Sequence, residues 1–209
     1  SVGITYSSAT AKFASAANFN GSAYASAADN ADFDMSGGAW TLDAWVYPNE
    51  LSTQRTIYHQ RTDAGNYLTV KLASLGGGPA YSDKVGVALS VSAASAEVVH
   101  VNTINVCVPI DTWSHIAVVE DGNDYRIYVN GALQAYVSDT DRPANYTGNI
   151  QIGYDNTTYF SGFIDELRIS NSARWTSNFT PPSQAYGSTA TTNFLVGSTL
   201  PAQGIKFYV

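Results

Sequence analysis

Acidic residues are the side chains of this sequence that could carry out catalysis, so their spacing is the first test of function. A glycoside hydrolase needs two carboxyl groups roughly 5–9 Å apart. Within one strand this requires spacing i,i+2 or i,i+4, because successive side chains point to opposite faces. Two pairs have that spacing but lie in turn-like sequence, Asp32/Asp34 and Asp139/Asp141. Asp165 and Glu166 lie in a strand-like run but are adjacent, so the pattern places them on opposite faces and argues against hydrolysis.

Nucleophiles and metal-binding histidines give no catalytic pattern either. The sequence contains no G-x-S-x-G, H-E-x-x-H or C-x-x-C motif. His59, His100 and His115 are each isolated in strand-like runs, where a histidine is more often a hydrogen-bonded structural residue than a ligand. The single cysteine, Cys107, cannot form an internal disulfide, and its apolar surroundings predict a small core residue.

Aromatic side chains indicate ligand binding more strongly than any residue indicates catalysis, because aromatic rings at sheet faces and loop tips stack on sugar rings. The chain has 14 Tyr, 8 Phe and 4 Trp. The candidates for a ligand-binding set are Asp43, Trp45, Tyr47, Tyr81, Tyr154 and Tyr159. Trp45 and Tyr47 share a face with Asp43, opposite an apolar set. Either they line an accessible surface, or they pack under loops as most aromatic residues do.

The elements that must position these residues are strands. Trp40 to Pro48 alternates, with Trp40, Leu42, Ala44 and Val46 on one face. Similar runs predict about a dozen strands: Arg55 to Gln60, Tyr67 to Ala73, Lys84 to Val91, two within Glu97 to Val108, Trp113 to Glu120, Tyr125 to Asn130, Leu133 to Val137, Asn149 to Gly153, Phe160 to Ser170, and one on each side of Asn20-Gly21. Trp40 and Trp113 are predicted core residues. The pattern predicts an all-β, antiparallel β-sandwich of two packed sheets with jelly-roll topology.

Charge excludes further classes. Ten basic residues against seventeen acidic residues give a net charge of −7, which argues against nucleic-acid binding because that depends on Lys and Arg neutralising phosphates. No apolar run approaches the ~18–20 residues of a membrane-spanning helix, so we expect no membrane insertion. The N-terminal residues lack the basic and apolar regions of a secretory signal.

Three segments in series resemble the concanavalin A-like, laminin-G-like jelly-roll family. They are Phe19 to Tyr24 with Trp40 to Pro48, Thr112 to Val119 with Tyr125 to Gly131, and Ile150 to Gly153 with Phe160 to Ser170. Order and spacing match from Phe13 to Ser170. The following Ala173 to Pro182 resembles the ending of copies in tailed bacteriophages and environmental bacteria.

The resemblance implies a structural calcium ion near the convex sheet. Asp165 matches the family's metal-bound carboxylate, and main-chain oxygens near Asn20 are the co-ligands it implies. The alternative is that Asp165 accepts hydrogen bonds from backbone amides. Typical members also begin with a strand upstream of Phe13.

These observations give one domain, residues 1–182, followed by a tail, residues 183–209. The tail ends in the alternating Ile205 to Val209, which either donates a strand to a neighbouring chain or folds back on its own sheet. We predict a non-enzymatic, homo-oligomeric protein of the virion surface, whose partners are a surface glycan or other virion proteins. The alternatives are an extracellular, secreted bacterial carbohydrate-binding adhesion module and, less favoured by the carboxylate spacing, a glycoside hydrolase.

Overall fold

The structure is a computed structural model that describes residues 3–74, 85–93, 96–103, 108–186 and 192–196. These residues form fourteen strands and one 3-10 turn, Ala31–Phe33. The strands are β1 Thr5–Ser7, β2 Ala16–Asn20, β3 Ala25–Ala27, β4 Trp40–Pro48, β5 Arg55–Asp63, β6 Asn66–Ser74, β7 Val85–Ala93, β8 Ala96–Asn102, β9 Ser114–Glu120, β10 Asp124–Val129, β11 Ala132–Ser138, β12 Ile150–Ile152, β13 Ser161–Ser170 and β14 Thr192–Val196.

The strands form two antiparallel sheets. The eight-stranded sheet has the order β1-β2-β13-β4-β9-β10-β11, with β14 paired to β13 beyond the part that pairs with β2. The six-stranded sheet has the order β3-β12-β5-β6-β7-β8. Strands distant in sequence are therefore neighbours in space, as in a jelly roll. The predicted sandwich is confirmed.

The core lies between the sheets and is formed by alternate residues of each strand. In β4 the alternation predicted from the sequence is confirmed, because Trp40, Leu42, Ala44 and Val46 all lie in this core. The facing sheet contributes Leu68, Val70 and Leu72 of β6 together with the inward residues of β5 and β7.

One predicted core residue is wrong. Trp113 is half-buried and packs with Trp45 on the outer face of the eight-stranded sheet. It immediately precedes β9, whose inward residues are Ile116 and Val118. Trp113 is out of phase with these two residues, so the alternation places it on the outer face.

Both ends of the described chain add strands to the eight-stranded sheet. β1 supplies the strand upstream of Phe13 that the family resemblance leads one to expect, and pairs with β2. β14 pairs antiparallel with β13, with Leu167 opposite Val196. The proposed donor segment Ile205 to Val209 lies outside the described residues, as does Cys107. Among the described residues, no helix is long and apolar enough to cross a membrane.

Candidate functional site

The outer face of the six-stranded sheet carries a row of polar side chains across all six strands. Register places Ser26 of β3 opposite Gln151 of β12, Gln151 opposite His59 of β5, and His59 opposite Thr69 of β6. The row continues to Ser90 of β7 and His100 of β8. His59 and Thr69 are buried, whereas Gln151 and Ser90 at their sides are half-buried. We call this face, from Gln151 to His100, the polar groove.

The floor of the polar groove is neutral near pH 7. Burial lowers the pKa of His59 to about 4, with the Asp155 carboxylate acting in the opposite direction. His59 Nδ1 lies 2.5 Å from Thr69 Oγ1. Its Nε2 is buried and has no hydrogen-bond partner. The floor therefore offers neutral hydrogen-bonding groups rather than a charge.

One end of the polar groove is closed by the loop of residues 153–159. The loop leaves β12 at Gly153, whose φ of +81° is the left-handed region that favours glycine. A Cβ there would overlap the Phe19 ring, so the position has no room for a side chain. Asp155 holds the loop closed, because its Oδ1 accepts hydrogen bonds from the amides and hydroxyls of Thr157 and Thr158.

Asp155 also ties the loop to the sheet. Its carboxylate forms an ion pair with Lys71 of β6. Burial alone would raise the pKa of Asp155, but the hydrogen bonds from Lys71 and the threonines hold it well below its ordinary value. Asn156 Nδ2 donates to Gln151 Oε1 at 3.3 Å, so the loop reaches the row of the polar groove. These contacts engage the Asp155 carboxylate fully, so its role is to position the loop.

Three tyrosines stand together at this end of the polar groove. Tyr154 and Tyr159 stack with ring centroids 4.2 Å apart and an interplanar angle of 19°. Tyr24 lies 5.2 Å from Tyr154 and 6.5 Å from Tyr159. All three rings are half-buried. The structure thus brings together two of the ligand-binding candidates predicted from the sequence, and adds Tyr24, which the sequence analysis missed although it closes the Phe19 to Tyr24 segment.

Asp43, Trp45 and Tyr47 lie on the other sheet, in β4. Of the two interpretations that the sequence leaves open, packing under other segments holds for Asp43 and Trp45, because both are buried. Phe13 packs edge-on against Trp45 at 6.4 Å, and the Lys12 ammonium lies 3.7 Å above its ring. Tyr47 is half-buried. Tyr81 lies outside the described residues.

Tyr47 is packed between two other rings. Its centroid lies 5.6 Å from that of Trp113 and 5.9 Å from that of Phe163, with interplanar angles of 58° and 76°. Because the rings are strongly inclined to one another, they do not form a flat platform. This cluster is a packing arrangement on the outer face of the eight-stranded sheet.

Asp43 belongs to a buried polar network. Its carboxylate accepts hydrogen bonds from Arg168 Nε at 3.0 Å and Nη2 at 2.9 Å. His115 Nε2 lies 3.3 Å from Asp43 Oδ2 and 2.8 Å from the Tyr186 hydroxyl. Burial alone would raise the pKa of Asp43, but the contacts with His115 and Arg168 hold it below its ordinary value. The network fastens the segment at Tyr186 onto the sheet.

The carboxyl groups of Asp165 and Glu166 are not on opposite faces, which corrects the sequence analysis. The register shifts between Asp165 and Arg168, and Glu166 adopts a φ of +52°. This β-bulge breaks the alternation. Asp165 Oδ2 accepts from the Phe13 amide at 3.2 Å and Glu166 Oε2 from the Tyr186 amide at 2.5 Å. Both are buried under these segments, so they do not form an accessible catalytic pair.

The proposed calcium ligands do not share a site. Asn20 is opposite Ser161, four residues before Asp165, which separates them by about 13 Å at ~3.3 Å per residue. Burial and the neighbouring Glu166 charge raise the pKa of Asp165 to about 7. Asn20 Oδ1 accepts from the amide and hydroxyl of Ser22. In the described part of the chain no three His, Cys, Asp or Glu side chains cluster as a metal site. The residues do not fit this calcium site, and calcium binding itself stays a prediction.

Solved structures with the same fold include a carbohydrate-binding domain and a virion protein. Domain 4 of AbnA, an extracellular GH43 arabinanase from Geobacillus stearothermophilus in complex with arabinotriose, is 22% identical over 83% of this chain and 77% of that one, with a TM-score of 0.63. The second, domains LG4–5 of the mouse laminin α1 chain, is 12% identical over 80% and 47%, with a TM-score of 0.53.

A third structure is tailspike protein 2 of the Escherichia coli O157:H7 bacteriophage CAB120. It is 11% identical, with a TM-score of 0.60, and the alignment covers 83% of this chain but 25% of the tailspike. At these identities the likeness concerns the fold. No curated protein sequence matches the chain significantly.

The family profile described as the concanavalin A-like lectin/glucanases superfamily, laminin-G type, matches residues 19–177. This range runs from the Phe19 segment, through both sheets, to the residues after β13. It contains the polar groove and the three tyrosines. The chain therefore belongs to the concanavalin A-like lectin/glucanases superfamily.

Proposed function

We propose that this protein is a non-catalytic glycan-binding module and that the polar groove, with Tyr24, Tyr154 and Tyr159 at its end, is the binding site. The observation that carries the proposal is the continuous row of hydrogen-bonding side chains across the outer face of the six-stranded sheet. Sugars present hydroxyl groups that both donate and accept hydrogen bonds. A row that offers amide, imidazole and hydroxyl groups suits them.

The shape of the face supports the same ligand. His59 and Thr69 are buried at the centre, while the half-buried rings of the tyrosines rise at one end. An aromatic ring with a polar tip can contact the apolar face of a pyranose and still hydrogen-bond at its edge. The bound arabinotriose of the AbnA domain shows that this fold can present an oligosaccharide site.

The absence of catalysis is part of the proposal. Asp155 is neutralised by Lys71, and Asp165 and Glu166 are buried on the other sheet. Two other carboxyl groups near the row are hydrogen-bonded, Asp63 with Asn66 at 2.9 Å and Glu97 with His100 at 2.9 Å. A glycosidase needs an accessible pair of carboxyl groups, and the polar groove supplies none among the described residues.

A glycan microarray followed by titration calorimetry tests the proposal. Replacing Tyr154 with Ala should weaken binding of the array's best ligand about tenfold, since a lost aromatic contact in a binding site typically costs more than ~1 kcal/mol. Tyr136→Ala is the matched control. Tyr136 is the most exposed aromatic among the described residues, at 54%, and it lies on the other sheet.

Two results would refute the site. One is equal weakening by Tyr154→Ala and Tyr136→Ala with both variants folded. The other is the absence of binding to every glycan of an array that includes neutral and acidic sugars. Slow release of reducing sugar from a bound oligosaccharide would refute the non-catalytic assignment.

We further propose that the module acts at the surface of a bacteriophage particle, or of a bacterial cell, as part of an oligomer. The fold similarity to the CAB120 tailspike and the phage-like ending at residues 173–182 support this location. Light scattering of the purified chain and immunogold labelling of particles test it. A monomer that labels no particle would contradict it.

A further inference from the structure

Arg61 is the one lysine or arginine of the described residues whose head group has no hydrogen bond, ion pair or cation–π contact, although its charge interacts with that of Asp63. The other lysines and arginines of the ranges given above are all engaged: Lys12 with the Trp45 ring, Arg55 with Glu50, Lys71 with Asp155, Arg126 with Asp124, Arg142 with Glu120, Arg168 with Asp43 and Arg174 with Ser170. Arg61 is half-buried and projects from β5 on the outer face. In a chain of net charge −7, where acidic residues outnumber basic ones, a guanidinium without an ion pair is unusual.

Arg61 lies beside the floor of the polar groove. It is two residues from His59 on the same strand, and two-residue spacing places both side chains on one face. Tyr67 of β6 stands directly opposite Arg61, and its ring centroid is 6.1 Å from the His59 ring. The Tyr67 hydroxyl has no hydrogen-bond partner among the described residues, and burial, with the charge of Glu97, raises its pKa.

The chemistry of these two side chains suits an acidic sugar. A guanidinium presents paired N–H groups that match a carboxylate in a bidentate geometry. The protonated hydroxyl of Tyr67 adds a donor, and its half-buried ring offers an apolar surface for the sugar. We propose that the polar groove selects glycans bearing a carboxylate, a uronic or a sialic acid, and that Arg61 binds the acid group. This inference rests on the proposed glycan-binding function.

Asp63 interacts with Arg61 through charge but forms no hydrogen bond or ion pair with it. Asp63 bonds to the Gly65 amide at 2.8 Å and to the Asn66 side chain at 2.9 Å. Glu97 is three strands from Arg61 in the same row, about 14 Å away at the ~4.8 Å strand spacing. That distance exceeds the ~8 Å screening length at physiological salt. Neither acidic group forms an ion pair with Arg61, so its paired N–H groups are available to an incoming carboxylate.

The test compares ligands that differ only in the acid group. Trigalacturonate is titrated against its full methyl ester, and 3′-sialyllactose against lactose, so the two arms separate a uronic from a sialic acid. The unmodified chain should bind the acid of at least one pair tenfold or more tightly than its neutral counterpart. Arg61→Gln should remove that preference and leave affinity for the neutral ligand unchanged. Arg61→Lys should keep part of it, because the charge stays but the paired N–H groups are lost.

Lys12→Gln is the control, since it removes the same charge from the other sheet. Thermal melting of every variant establishes that it is folded. Equal affinity for acid and neutral ligands, or an acid preference that survives Arg61→Gln, would overturn the role of Arg61 while glycan binding itself stands. Binding to no glycan, neutral or acidic, would overturn the proposed function as well.

Discussion

Replacing Asp165 with Asn should change how the stability of the protein depends on pH. The carboxyl group is 2% exposed, and its Oδ2 accepts the Phe13 amide. Burial and the adjacent Glu166 charge raise its pKa from an ordinary value near 3.8 to about 7. An asparagine has nearly the same shape and can accept the same hydrogen bond, but it does not titrate.

The expected magnitude follows from linkage. The folded chain binds the Asp165 proton more tightly than the unfolded chain, so the stabilisation is fully present below pH 3.8 and is lost as pH rises through about 7. One pKa unit corresponds to ~1.4 kcal/mol, which gives about 4 kcal/mol over the whole range and roughly 2–3 kcal/mol between pH 5 and pH 8. The variant should gain this amount relative to the unmodified chain as pH rises.

The quantity to compare is the difference in free energy of unfolding between the Asp165→Asn variant and the unmodified chain at each pH. The lowered pKa of His59, about 4, stabilises the fold increasingly as pH rises from about 4 to 6.5, which opposes the Asp165 effect in the unmodified chain. His59 and Asp165 lie on different sheets, so their contributions should be additive and His59 should cancel in the difference.

Urea denaturation followed by tryptophan fluorescence at pH 5, 6, 7 and 8 measures this difference. Asp111→Asn is the matched control, because it removes a carboxylate from an exposed position whose φ of +50° suits asparagine. The reasoning fails if the Asp165→Asn difference is flat between pH 5 and 8, if it falls with pH, or if Asp111→Asn shows the same rise.

Two further outcomes follow from the packing. Trp40→Ala should lower the free energy of unfolding by ~3–5 kcal/mol, the usual cost of emptying an aromatic core site. Trp113→Ala should lower it clearly less, because the Trp113 ring is half-buried outside the core. Equal losses for the two variants in chemical denaturation would contradict this placement. Asp165→Asn should not change the effect of EDTA on the melting temperature, because Asn20 and Asp165 lie about 13 Å apart; a calcium-dependent rise in scanning calorimetry that this variant abolishes would restore the calcium site.

The sequence by itself determined the sandwich and its inward faces. The two-residue period of β4 predicted Trp40, Leu42, Ala44 and Val46 as core residues, since alternation along a strand is a local property that each residue carries in its own polarity. The family segments, from Phe19 to Ser170, were sufficient to predict the superfamily for the same reason, because their turns and apolar positions are defined by short-range spacing.

Only the tertiary structure decided which outward residues are accessible and which side chains meet. Trp45 looked exposed because nothing in its own strand shows that residues 12, 13 and 186 cover it. Asp165 and Glu166 looked opposed because a bulge changes the alternation through one backbone angle. The polar groove joins residues 59, 69, 90, 100 and 151 through the strand order. Strand order is set by burial across the whole chain, and no local pattern encodes it.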